Sequence, residues 1–190
     1  CTPIRIYGGN VTATGDGTDG AAIGGARNGT MEGIEIYGGE ITTANGSVGL
    51  GIGALGKKGD YEPYVTVYGG KINTTRIGQA DSYTDNTYPK VNINIHGGEV
   101  TASLGIGSAE GDSGQIAITG GKVIAYGSAS NGYGHAAIGG GYISSSIGGN
   151  GYVTITGGYI EAYGGGTRAI GGGAGIGGAY EVHGSQIDTK

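Results

Sequence analysis

The chain has 190 residues, 49 of them Gly, 14 Tyr and only 3 Pro, with no Phe or Trp and a net charge of −5. Gly lacks the every-third-position period and the Pro that a collagen triple helix needs, and the recurring alternation of Ile and Val is not the pattern of a disordered low-complexity chain. The negative charge speaks against nucleic acid or an anionic membrane as partner, and no apolar run approaches the ~20 residues that cross a bilayer.

From the N-terminus onward one pattern recurs six times: IRIYGGNVTAT from Ile4, IEIYGGEITTA from Ile34, VTVYGGKINTT from Val65, INIHGGEVTAS from Ile93, IAITGGKVIAY from Ile116 and VTITGGYIEAY from Val153. A worn copy, EVHGSQID from Glu181, closes the chain. The Gly-Gly pairs begin at positions 8, 38, 69, 97, 120 and 157, spacings of 30, 31, 28, 23 and 37, so the shortest approximates a bare coil and the excess is loop. Downstream of each pair lies an Ile-Gly step, read at Ile23, Ile52, Ile77, Ile106, Ile138 and Ile170. Strand, Gly-Gly corner, strand, loop, short strand, loop is the grammar of a three-sided parallel β-helix. The expectation is a single all-β solenoid over residues 1–190, six to seven coils long, with no hairpin turns and a right-handed sense from the usual behaviour of parallel crossovers.

Alternation assigns the faces. Ile4/Ile6, Ile34/Ile36, Val65/Val67, Ile93/Ile95, Ile116/Ile118 and Val153/Ile155 point inward, as do Val11, Ile41, Ile72, Val100, Val123 and Ile160. Outward, the residues just before the corners are Tyr7, Tyr37, Tyr68, His96, Thr119 and Thr156. Those just after include Glu40, Lys71, Glu99 and Lys122, a column of alternating sign that pins register between coils. Thr12, Thr42, Asn73 and Thr101 form a hydroxyl-rich column like that of an ice-binding helix, but it breaks at Ile124 and Glu161.

Tyr7, Tyr37, Tyr68 and His96 are the first candidate ligand-binding strip, a row on which sugar rings would stack; stabilisation of the sheet by aromatic contacts is the competing reading. Tyr61, Tyr64, Tyr83 and Tyr88, assigned to variable loops, make a second candidate site, because amphipathic aromatics on loops of a rigid scaffold are common recognition elements. Further Tyr at 133, 142 and 152 are also assigned to loops.

Catalytic chemistry is not expected. The Asp residues fall in loops or the tail, none pairs with another on a strand face as a glycosidase needs, and the three His lie far apart in the repeat. No cofactor is expected. Asp16 and Asp19 in GDGTDG offer oxygen ligands of the kind Ca²⁺ takes, as do Asp81 and Asp85 in ADSYTD, although Asp with Gly more often marks a plain turn. The single Cys, at position 1, cannot pair internally.

The copies I-x-I-x-G-G-x-V-x-A followed by A-A-I-G-G resemble Gly-rich β-helix repeats of Firmicutes cell-surface proteins, and are distantly similar to clostridial domains that bind plant polysaccharides. The resemblance implies an extracellular, secreted or cell-surface location and a polysaccharide or host or cell-wall glycan as partner. It assigns no residue. The leading expectation is a non-catalytic carbohydrate-binding or adhesin module. A structural spacer or a subunit self-associating end to end comes next, since neither end of the sequence carries a capping helix. A polysaccharide-active enzyme and an ice-binding protein are lesser alternatives.

Overall fold

The computed structural model describes residues 2–15, 20–26, 31–44, 51–54, 62–79, 90–109, 111–130, 133–144, 147–167 and 171–178. Among them the chain is all-β, wound into six coils of three strands each. Coil 1 comprises Ile4–Ile6, Asn10–Thr14 and Ile23–Gly24; coil 2, Gly33–Ile36, Glu40–Ala44 and Ile52–Ala54; coil 3, Tyr64–Val67, Lys71–Thr74 and Ile77–Gln79. Coil 4 comprises Asn92–Ile95, Glu99–Ala102 and Ile106–Ser108; coil 5, Gln115–Ile118, Lys122–Tyr126 and Ile138–Gly139; coil 6, Tyr152–Ile155, Tyr159–Tyr163 and Ile176–Gly177. First, second and third strands each assemble into a six-stranded parallel sheet. The expected β-solenoid is the fold.

The register follows the sequence columns. Ile4, Ile34, Val65, Ile93, Ile116 and Val153 lie in line across the first sheet, and Val11, Ile41, Ile72, Val100, Val123 and Ile160 across the second. Coils 2 to 5 bury their members of these columns completely, so the interior is a stack of aliphatic rungs. At about 25 cal/mol per Å² of apolar surface removed from water, these rungs are the main force closing the coil. Coils 1 and 6 have one stacked neighbour each among the described residues, and there Ile4 and Ile155, both expected inside, remain 39 % exposed.

Two glycine columns let the coils sit this close. The second Gly of each corner has φ between +85° and +101°, a conformation that a Cβ disfavours. In the third sheet, the Gly of each Ile-Gly step has φ between +125° and +147°. A Cβ on Gly53 would lie 1.8 Å from the Gly78 carbonyl oxygen, and one on Gly78 2.0 Å from that of Gly107. Only hydrogen fits between coils on this side.

The structure departs from the sequence reading in three places. The third strand of coil 6 is Ile176–Gly177, which pairs with Ile138–Gly139; Ile170 lies outside the described residues. The cause is a hairpin, Gly166–Thr167 against Gly171–Gly172, that takes up the intervening chain. Hairpins therefore exist, against expectation: Ala129–Ser130 pairs with Tyr133–Gly134, and Tyr142–Ser144 with Ile147–Gly148. The long insertions of coils 5 and 6 satisfy part of their backbone hydrogen bonding locally, as chain leaving a sheet must do where water is excluded. Third, Tyr64 and Tyr152 are not loop residues. They begin the first strands of coils 3 and 6.

The interior also holds a polar strut that composition did not reveal. Arg76, buried in coil 3, donates from Nη1 to the Ser108 carbonyl (3.1 Å) and from Nη2 to Ser128 Oγ (3.1 Å), reaching across coil 4 into coil 5. His135 is buried nearby, and burial, with the Arg76 charge second, pushes its pKa down to about 4.

Candidate binding surface: a stacked tyrosine ladder

Parallel in-register strands place equivalent side chains one above another, about 4.8 Å apart. In the column before the Gly-Gly corner this makes an aromatic stack. Ring centroids are 5.0 Å apart for Tyr7 and Tyr37, 4.8 Å for Tyr37 and Tyr68, and 5.3 Å for Tyr68 and His96, with interplanar angles of 14°, 12° and 20°. His96 Nδ1 then shares a 2.9 Å hydrogen bond with Thr119 Oγ1, which carries the column into coil 5. The four residues of the first candidate strip are thus brought together as one surface feature.

The geometry corrects how that strip presents itself. Because the rings stack on one another, their faces are largely occupied and what points to solvent is ring edge and hydroxyl. Tyr7, Tyr37 and Tyr68 are nevertheless 71 %, 41 % and 47 % exposed. Among the described residues, the Tyr7 and Tyr68 hydroxyls have no protein partner.

Glu35 anchors the ladder from the neighbouring outward column. Its carboxylate accepts from Arg5 Nε (2.8 Å), Tyr37 Oη (3.0 Å) and Tyr64 Oη (2.8 Å). The Arg5 hydrogen bond, then that from Tyr64, holds Glu35 below the usual carboxylate range. Tyr37 is raised in turn by its bond to that carboxylate. Tyr64 is pushed up to about 12, first by burial and then by Glu35. Its ring lies over Gly33 of coil 2, where a Cβ would come within 2.4 Å of Cζ. Tyr64 therefore belongs to the ladder's margin. The other members of the second candidate site, Tyr61, Tyr83 and Tyr88, lie outside the described residues, as do Asp16, Asp19, Asp81 and Asp85 of the candidate calcium loops.

A second aromatic cluster escaped the sequence reading. On the outer face of the second sheet, Tyr126 and Tyr163 stack at 5.1 Å and 12°. Tyr163 Oη donates to Glu161 Oε2 (2.8 Å), and Tyr159 Oη donates to Oε1 of the same carboxylate. The signal is present in the sequence, because positions 159, 161 and 163 alternate outward and Tyr126 is level with Tyr163. The charged column beside the corner pairs as expected, Glu40 opposite Lys71, Lys71 opposite Glu99 and Glu99 opposite Lys122. Its Lys122–Glu99 contact is 3.6 Å long and exposed, a kind of pair worth about 0–1 kcal/mol. Among the described residues no three His, Cys, Asp or Glu side chains converge as a metal site.

These features define a parallel β-helix bearing an exposed aromatic strip along one corner. The beta helix repeat family model matches residues 4–27, 34–57, 93–112 and 116–142, together half of the chain, and the chain belongs to that family. The matched segments start at Ile4, Ile34, Ile93 and Ile116, the first inward residues of coils 1, 2, 4 and 5. Comparisons with curated proteins and with solved structures give no match.

Proposed function

We propose that this chain is a non-catalytic extracellular module that binds a carbohydrate or adheres through one, with the tyrosine ladder as the contact surface. The observation that carries this reading is the ladder's combination of rigidity and exposure. Three tyrosines and a histidine stand at successive rungs along one corner, with the Tyr7 and Tyr68 hydroxyls unclaimed among the described residues. A glycan chain lying along the solenoid axis meets repeated ring edges, which attract its oxygens, and repeated hydroxyls, which donate to or accept from its own. Gly-Gly corners beside the strip leave no side chain in the way. Few cysteines and a chain rich in Gly and Thr fit the surface of a Gram-positive cell as its setting.

A polysaccharide and glycan screen of the wild type beside Tyr37→Ala/Tyr68→Ala tests the reading. Binding by the wild type and its loss in a variant that keeps its β-sheet circular dichroism is the expected result. Absence of binding by both proteins would sink it.

A second reading, end-to-end self-association, is favoured by the exposure of Ile4 in coil 1 and of Ile155 and Ile176 in coil 6. Sedimentation over a wide concentration range tests it: a single monomeric species throughout would exclude it.

A further inference from the structure

Both aromatic clusters share a device that ligand binding does not require. In each, one carboxylate accepts hydrogen bonds from the hydroxyls of two tyrosines, and at least one of those tyrosines is stacked on another ring. Glu35 does this with Tyr37 and Tyr64 on the first sheet, Glu161 with Tyr159 and Tyr163 on the second. We propose that these clusters are sites of oxidative tyrosine coupling, at which an extracellular one-electron oxidant generates tyrosyl radicals that link two molecules through dityrosine. The proposal is independent of glycan binding.

The argument begins with the phenol. Removing one electron from tyrosine makes its O–H strongly acidic, so oxidation near neutral pH is fast only where a proton acceptor stands within hydrogen-bond reach. Glu35 Oε2 is 3.0 Å from Tyr37 Oη and is held ionised by Arg5. At rest the phenol keeps its proton, since the same hydrogen bond raises its pKa. On oxidation the proton passes to Glu35 and the electron to the oxidant, leaving a neutral radical. Rings 4.8 and 5.0 Å apart let an electron vacancy formed on Tyr7 or Tyr68 move to Tyr37, where the acceptor stands.

Coupling then needs two radicals. A carbon–carbon bond forms between ring carbons ortho to the two oxygens, and the hydrogens on those carbons return to the oxygens and restore both hydroxyls. The net change is the loss of two electrons to the oxidant and two protons to solvent by way of the carboxylates. Rings within one ladder face each other, which is not the edge-on approach this bond requires. Their exposed edges do offer that approach to a second molecule, so the link is intermolecular.

Tyr152 provides an internal control. It is 51 % exposed, more than Tyr37 or Tyr68. Yet the Lys90 ammonium lies 5.6 Å from its ring centroid and disfavours removal of an electron, and no carboxylate accepts from its hydroxyl among the described residues.

The purified protein is illuminated with tris(bipyridine)ruthenium(II) and persulfate, a source of one-electron oxidant. Dityrosine fluorescence, detergent-resistant dimers and peptide mass spectrometry are followed from pH 5 to 9. The expected links involve Tyr7, Tyr37 or Tyr68 and the cluster at 159 and 163, and omit Tyr152. Glu35→Gln, with unchanged circular dichroism, is expected to slow coupling at the ladder several-fold near pH 7 and to make it climb with pH and buffer concentration. Tyr37→Phe, which keeps the ring in the stack, should remove Tyr37 from the links and lower the ladder's yield. Links distributed by exposure alone, Tyr152 included, would overturn the proposal, as would a Glu35→Gln protein with the wild-type rate and pH profile.

Discussion

Two columns of this solenoid repeat at the same rung spacing and obey opposite rules. In the third sheet the Ile-Gly step is the same in all six coils, at Ile23, Ile52, Ile77, Ile106, Ile138 and Ile176. In the column before the corner, Tyr fills coils 1 to 3, His coil 4 and Thr coils 5 and 6. The backbone is indifferent to that change, since the Thr119 and Thr156 N–H groups donate to the coil before just as those of Tyr37 and Tyr68 do. Geometry dictates the inner column. The outer one is free, and so its tyrosines answer to something other than the demands of coiling.

The sharpest way to break this contrast is at the inner column. Gly78→Ala places a Cβ 2.0 Å from a backbone oxygen, at φ +138°. It is expected to cost more than about 4 kcal/mol, read as a collapse of the urea midpoint or a failure to fold. Ile77→Ala, at a fully buried rung, should cost about 2–5 kcal/mol in the same assay. The exposed Ile4 of coil 1 should cost clearly less, and an equal cost at the two sites would refute the picture of a core concentrated in the inner coils.

His135 sharpens the interior side further. Its folded pKa, about 4, lies below the unfolded value of about 6.5. The unfolded chain therefore binds more protons between these values, and stability falls as pH drops through that window, by up to about 3 kcal/mol. The carboxylates Glu35 and Glu161, both lowered by hydrogen bonds, lose their contributions at lower pH, from the ordinary carboxylate range down through their lowered folded values. Urea midpoints at pH 7 and pH 5 should differ in the wild type and differ less in His135→Asn.

At the outer column the expected effects are smaller. Tyr37→Ala removes two ring contacts worth about 0.5–1.5 kcal/mol each, whereas Tyr68→Thr, which copies coils 5 and 6, should leave the fold intact and shift the melting temperature by only a few degrees. Loss of glycan binding in the second variant, with stability nearly kept, would separate display from scaffolding most cleanly. Least of all, Lys122→Ala at the exposed 3.6 Å ion pair should change stability by under about 1 kcal/mol, less again in high salt.

The amino-acid sequence by itself determined the solenoid, the strands flanking each Gly-Gly corner, the inward columns and the presence of an aromatic row. These depend on period-2 alternation and on repetition, which local order along the chain records directly. Tertiary structure alone decided the rest. That Ile176 completes the third sheet depends on the path of a hairpin, and that Tyr64 lies over Gly33 depends on a hydrogen bond to Glu35, a residue 29 positions away. The same holds for the occupied faces of the tyrosines, the Arg76 strut and the two carboxylates shared between hydroxyls. Most are contacts between coils, set by side-chain rotamers and insertion length; the bonds of Tyr159 and Tyr163 to Glu161 lie within one strand, where alternation places the three side chains on one face but does not fix their hydrogen bonds.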